Sequence, residues 1–277
     1  MKQIKKLFVF ALGVVFCLSM FFYFPKGSCS ATSVLTSAKA ACVIDVDSGE
    51  ILYCENENAP LAMASTTKIL TAIIVIENMD LSQTIKVDDS AAGVEGSSIY
   101  LKKGEEIKVI DLLYGLMLRS GNDSAVALAI ACAGSVPAFA NLMNDKAKQI
   151  GATNSSFTNP HGLDDKNHYT TAKDLALISA YAMKNDIFRE IVSTKMHVVE
   201  KTNLSEQRYF QNKNKMLSSF EGACGVKTGY TKKTGRCLVS AAKRDGKTLV
   251  CVVLSAPNMW QDSKNLLEFG FNLIKKQ

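Results

Sequence analysis

The sequence predicts an α+β fold: a mixed antiparallel sheet flanked by helices, with a helical lobe inserted between its first and last strands. Three observations carry that expectation. Strand-like runs stand at the two ends of the chain, at 41–55 and 222–256. The stretch between them, from about 88 to 221, reads as mostly helical. At 277 residues and 47% apolar content, the chain holds ample material for one large core. Strands at both ends with helices between them favour a single sheet covered by helices over two separate domains.

The first 31 residues are set apart. Lys2, Lys5 and Lys6 precede eighteen uncharged residues, 7–24, and Cys29-Ser30-Ala31 offers a small-x-small cut. Residues 1–31 therefore read as a signal peptide. Eighteen residues also reach the lower edge of spanning length, so a retained anchor stays open. On either reading the domain at 32–277 is exported: secreted or N-terminally anchored, in the cell wall or a periplasm-like space. Without the leader's four lysines the formal charge of +6 falls to about +2, which gives no reason to expect a nucleic-acid partner. Membrane contact is expected only through an uncleaved leader, and the domain is expected to be a monomer.

Residues 41–55 read as a β-hairpin turning at Asp47-Ser48-Gly49, which would set Cys42 opposite Cys54. A disulfide and two free buried thiols both remain open there, and free thiols are the simpler expectation. Residues 65–79 form an apolar run without Gly or Pro, a buried helix with Ser65 in its first turn. The sheet lobe then comprises about 41–87 and 222–277, and the helical lobe about 88–221. Helices are expected at 109–118, 123–133, 136–150 (closed by Gly151) and 171–183. Three strand-like runs lie in 222–256, and 262–275 closes the chain as an amphipathic helix.

Three short strings carry the chemistry: Ser65-Thr66-Thr67-Lys68, Ser120-Gly121-Asn122 and Lys227-Thr228-Gly229. Each has a second copy, at Ser240 to Lys243, Ser263 to Asn265 and Lys233 to Gly235. Context separates them. Residues at i and i+3 share a helix face, so the Ser65 hydroxyl and the Lys68 amine can meet. Ser240 lies in a strand-like run, where i and i+3 point to opposite faces. The second SxN follows both KTG strings and breaks the order. Gly225-Val226 runs straight into Lys227, as a strand entering a site would, whereas 231–235 reads as the turn of a hairpin. Lys227 is the favoured copy.

Alongside these stand Ala64-Ser65-Thr66-Thr67-Lys68-Ile69-Leu70-Thr71, Arg119-Ser120-Gly121-Asn122-Asp123, Asn159-Pro160-His161-Gly162-Leu163 and Gly225-Val226-Lys227-Thr228-Gly229-Tyr230. With these, residues 40–275 resemble the serine-type D-Ala-D-Ala carboxypeptidases, low-molecular-weight penicillin-binding proteins. The resemblance implies a β-lactamase/transpeptidase-like fold. It implies a peptidoglycan stem peptide ending in D-Ala-D-Ala as substrate, and β-lactams as covalent inhibitors.

A serine hydroxyl needs a base within reach, and a lysine can serve only when burial or nearby cations lower its pKa. Ser65 is the candidate nucleophile, Lys68 its base, and Ser120 the relay of a proton to the leaving amine. By family analogy the N–H groups of Ser65 and Tyr230 form the oxyanion hole. Asn122 would hold the peptide, and Lys227 and Thr228, with Gly229 beside them, its terminal carboxylate. No cofactor is expected, and the absence of CxxC with only three histidines argues against a metal site. His161, between Pro160 and Gly162, reads as a structural loop residue.

Two departures from the resemblance stand out. Relatives often carry a carboxylate-holding arginine in the loop before the last helix, and 256–262 has none; Arg236 is a candidate substitute. The chain also stops at Gln277, without the β-rich domain and amphipathic helix that relatives often add. The missing arginine keeps a catalytically silent cell-wall-binding or sensor module as one alternative. A β-lactamase is another, although no ExxLN string stands between Asn122 and Lys227. Endopeptidase action on cross-linked peptides is a further variant.

Overall fold

The computed structural model describes residues 34–275; the leader and its two readings lie outside them. Strand β1 (Ala40–Asp45) turns back into β2 (Ile51–Glu55) as expected, and Cys42 and Cys54 are direct partners across the pair. No disulfide joins them; the two Sγ atoms stand 3.3 Å apart, within hydrogen-bond reach. A 3-10 turn, Ala64–Thr67, then leads into α1 (Lys68–Asn78), in place of one continuous helix from residue 65. Strands β3 (Thr84–Lys86) and β4 (Glu106–Lys108) pair as a small ribbon. Helix α2 (Val109–Tyr114) runs into a π-turn, Gly115–Arg119, so the expected helix at 109–118 changes pitch midway.

Helices α3 (Asn122–Ala133), α4 (Val136–Ile150) and α5 (Ala172–Met183) follow close to their expected bounds. Ser135 caps α4 and Thr171 caps α5 through their hydroxyls, and Gly151 ends α4 in the left-handed region that favours glycine. Three elements in this stretch were not foreseen: α6 (Asp186–Ser193), then the hairpin of β5 (Met196–Val199) and β6 (Arg208–Gln211). A short α7 (Met216–Ser219) precedes β7 (Ala223–Thr231), β8 (Gly235–Arg244) and β9 (Lys247–Leu254), and α8 (Met259–Ile274) closes the chain.

The main sheet has the order β2-β1-β9-β8-β7, with antiparallel pairing at each step, so β7 is an edge strand. Both faces of this sheet are covered. Ala40, Cys42 and Ile44 of β1, with Val250 and Val252 of β9, pack toward the core that holds α1, α3 and α5. Ala41 and Val43, with Leu249, Cys251 and Val253, pack on the other face with Leu266, Leu267 and Phe271 of α8. Two-sided burial is why these strands read as unbroken apolar runs rather than as alternation. Helix α1 is buried from Lys68 to Val75, which fixes the axis on which the serine turn sits.

Candidate active site

The turn that carries Ser65 is held tightly. Ala64, just before Ser65, has a positive φ of 49°, a conformation that costs a residue with a Cβ. The turn is pinned by hydroxyls: Thr66 donates to the Met63 carbonyl at 2.7 Å, and Thr67 to the Ala64 carbonyl at 2.8 Å. Gly162 packs so close that a Cβ there would lie 1.9 Å from the Ala64 carbonyl oxygen. The Asn159–Leu163 loop thus forms a backstop for Ser65, and Asn159 stiffens it by accepting the Gly162 N–H at 2.7 Å.

Lys68 lies at the first position of α1 and is fully buried. Its Nζ meets three oxygens: Ser65 Oγ at 3.0 Å, Asn122 Oδ1 at 2.7 Å and the His161 carbonyl at 2.6 Å. Burial first, then the neighbouring Lys227 cation, pushes the amine well below the ordinary lysine range. A neutral amine has two hydrogens and one lone pair. The Asn122 and His161 oxygens can only accept, so they take both hydrogens, and the lone pair is left facing the Ser65 hydroxyl. That arrangement can remove the serine proton.

Asn122 opens α3, with its Nδ2 donating to the Glu95 carbonyl at 2.6 Å. Both ends of its amide are therefore engaged. Asp123 anchors the facing loop, accepting from Ser98 Oγ at 2.5 Å and from the N–H groups of Ile99 and Leu101. Ser120 sits at the end of the π-turn with a left-handed φ of 66° and is buried. Among the described residues no hydrogen bond joins its hydroxyl to Ser65, Lys68 or Lys227.

Lys227, Thr228, Gly229 and Tyr230 lie on the edge strand β7, whereas Lys233 and Thr234 fall in the turn that leads to β8. Lys227 is buried, and burial followed by the Lys213 cation lowers its pKa to about 7. Its Nζ donates to the Thr228 carbonyl at 3.1 Å. A Cβ on Gly229 would stand 3.0 Å from the Met63 carbonyl and 3.2 Å from the Ser65 nitrogen, so the strand passes directly against the serine turn. Tyr230 is exposed, with its side chain open to solvent.

Two contributors were not legible in the sequence. His168, buried, places its Nε2 2.8 Å from Thr67 Oγ1 and so supports the turn from behind. Lys213, exposed just after β6, adds positive potential at Lys227 and Lys68. Neither lies in a motif, and each acts through a long-range contact that spacing does not reveal.

Fold and site together set a buried lysine amine 3.0 Å from a serine hydroxyl at the mouth of a sheet-and-helix fold. The chain belongs to the D-alanyl-D-alanine carboxypeptidase family, whose pattern it matches over residues 28–258. It is 34% identical over 258 residues to the D-alanyl-D-alanine carboxypeptidase DacF of Bacillus subtilis, spanning 90% of this chain and 66% of that one. It is 35% identical over 269 residues to a D-alanyl-D-alanine carboxypeptidase of Streptomyces sp. strain K15, spanning 89% of this chain and 92% of that one. The crystal structure of the Streptomyces K15 DD-transpeptidase superposes with a TM-score of 0.81 at 32% identity, covering 87% of this chain and 99% of that chain.

Proposed function

We propose that this protein is an exported serine D,D-carboxypeptidase that removes the terminal D-alanine from peptidoglycan stem peptides. The observation that carries the reading is the buried Lys68 amine, 3.0 Å from Ser65 Oγ and depressed toward the neutral form. In the first half-reaction neutral Lys68 takes the Ser65 proton while Oγ attacks the carbonyl of the penultimate D-alanine. The oxyanion is held by the N–H groups of Ser65 and Tyr230. The tetrahedral intermediate collapses as the C–N bond breaks, and the proton passes from Lys68 through Ser120 to the leaving D-alanine amine. Asn122 positions the peptide, and Lys227 and Thr228 hold the terminal carboxylate. In the second half, water gives a proton to Lys68 and attacks the ester, and Ser65 recovers its proton as the shortened peptide leaves.

β-Lactams fit the same scheme as substrates whose acyl-enzyme persists, which makes them probes of Ser65. The test is intact-mass spectrometry of the 32–277 protein after incubation with penicillin G, beside Ser65→Ala, followed by an assay of D-alanine release. A penicilloyl adduct on Ser65 with D-alanine release supports the carboxypeptidase. An adduct without release supports a silent binding module, and rapid turnover of the penicillin supports a β-lactamase.

A further inference from the structure

Strand β2 is held on one side only. It stands at the edge of the main sheet, pairs with β1 through a register shift between Val43 and Ile44, and buries only Tyr53 of its five residues. From its end the chain runs on to the turn that carries Ser65. At this weakly held strand the sequence sets a pair of thiols. Cys42 of β1 is fully buried in the core, and Cys54 of β2 is half-buried against the same core. The two are direct register partners, with Sγ atoms 3.3 Å apart. Among the described residues, no other two cysteines are partners in the sheet.

The geometry admits a bond between them. Directly opposed residues of an antiparallel pair have Cα atoms about 4.5–5.5 Å apart, inside the range of about 4.4–6.8 Å that disulfides span. The sulfurs would close from 3.3 Å to about 2.0 Å. We propose that Cys42 and Cys54 form a dithiol–disulfide couple, oxidised by exchange with a small-molecule disulfide, that staples the edge strand β2 to β1. The burial of the two thiols orders the steps. The Cys54 thiolate, the one reachable from solvent, attacks one sulfur of the small disulfide and expels its other half as a thiolate. The Cys42 thiolate then attacks Cys54 Sγ in the mixed disulfide, the Cys42–Cys54 bond forms, and the second small thiolate leaves. Two protein thiols lose two electrons, one small disulfide gains them, and the two thiol protons end on the departing thiols. The Cys54 thiol first, and burial second, raise the Cys42 thiol well above the ordinary cysteine range. Burial persists in the mixed disulfide, so the closing step is slow at neutral pH and faster in base. The couple is independent of what the cleft cleaves. On the exported reading above, the chain leaves the cytoplasm reduced and closes the bond where disulfides are in supply.

The experiment equilibrates the purified protein with mixtures of reduced and oxidised glutathione, alkylates it with iodoacetamide in denaturant, and maps the peptides by mass. Trypsin suits it, because no Lys or Arg lies between Lys39 and Lys68, and the 40–68 peptide holds Cys42, Cys54 and no other cysteine. The expected result is a 40–68 peptide lighter by about 2 Da than the reduced form and closed to iodoacetamide. A second cut after Glu50, which lies between the two cysteines, should leave its halves joined. The oxidised protein should melt about 4–10 °C above the reduced protein, the gain a short stapled loop implies in a domain of this size. Cys54→Ser, a change at a half-buried edge position, should lose the cross-link and the melting shift together. Wild-type protein in which both cysteines still take up iodoacetamide after exposure to oxidised glutathione overturns the proposal. So does a mixed disulfide on Cys54 that never closes, or a Cys42–Cys54 bond that leaves the melting temperature where it was.

Discussion

His168 and Thr67 stand 101 residues apart in the chain, and the imidazole Nε2 lies 2.8 Å from the threonine hydroxyl. The tautomer follows from the other contacts. Nδ1 accepts the Thr158 N–H at 3.1 Å, so the ring proton is on Nε2 and donates to Thr67 Oγ1, whose own hydrogen goes to the Ala64 carbonyl. This relay holds the turn beneath Ser65 and needs a neutral ring. Protonating His168 would put a second donor against the Thr158 N–H.

Acid should therefore loosen the fold before the carboxylates titrate. Burial is the main cause that lowers His161 to about 3 and His168 to about 4, each from 6.5. A histidine held neutral contributes full stability above its unfolded pKa and loses it as pH falls from about 6.5 toward the folded value. The expected slope is up to about 1.4 kcal/mol per pH unit for each ring. Urea melts between pH 7.5 and 5.5 measure it, and His168→Gln should flatten the slope by about half. An identical slope in the variant would remove His168 from the account.

Lys68→Ala should slow acylation of Ser65 by about a hundredfold to ten-thousandfold, the range a positioned base contributes. The second-order rate of penicilloyl formation is the readout. A variant that acylates at the wild-type rate would mean that another group takes the proton.

Catalysis of peptide hydrolysis should follow a bell-shaped pH profile. The acid limb reflects the need for neutral Lys68, whose pKa burial and then the Lys227 cation push well below the ordinary lysine range. The alkaline limb reflects Lys227, which stands at about 7 in the free protein and loses its charge as pH rises. Profiles of kcat/KM from pH 5 to 10 test this, and a flat plot across that range would contradict both assignments.

Gly162→Ala should be among the most damaging single-methyl changes in the chain. The new Cβ would lie 1.9 Å from backbone at Ala64, and the residue sits at φ 89°. Displacing that carbonyl moves Ser65, so both the melting temperature and the acylation rate should fall, with a stability loss of about 1–3 kcal/mol. Unchanged melting would show that the loop and the serine turn move independently.

How much of this was legible beforehand depended on the range of the interaction. Ser65 and Lys68 could be paired from spacing because three residues fix their relation. Strands β8 and β9 were visible because both faces are buried and the apolar runs are continuous. Lys227 was separable from Lys233 because the first copy reads as strand and the second as turn. The β5–β6 hairpin was not visible: its strands are four residues each, half-exposed, and held partly by Arg208 donating to buried Glu105 at 2.8 Å. The π-turn before Ser120 leaves no compositional trace. The contacts of Lys68 with Asn122 and His161 cross 54 and 93 residues, and their distances follow only from the packed fold.

Those same separations make the serine a counter of intact molecules. A lysine in an unravelled chain is hydrated and protonated, far from the two acceptors that leave its lone pair to Ser65. On the mechanism proposed here, a fluorescent penicillin would mark only chains in which all three segments have met. The bright fraction on a gel, taken across a denaturant series, would then trace the unfolding curve through chemistry, with no spectroscopic signal from the fold itself.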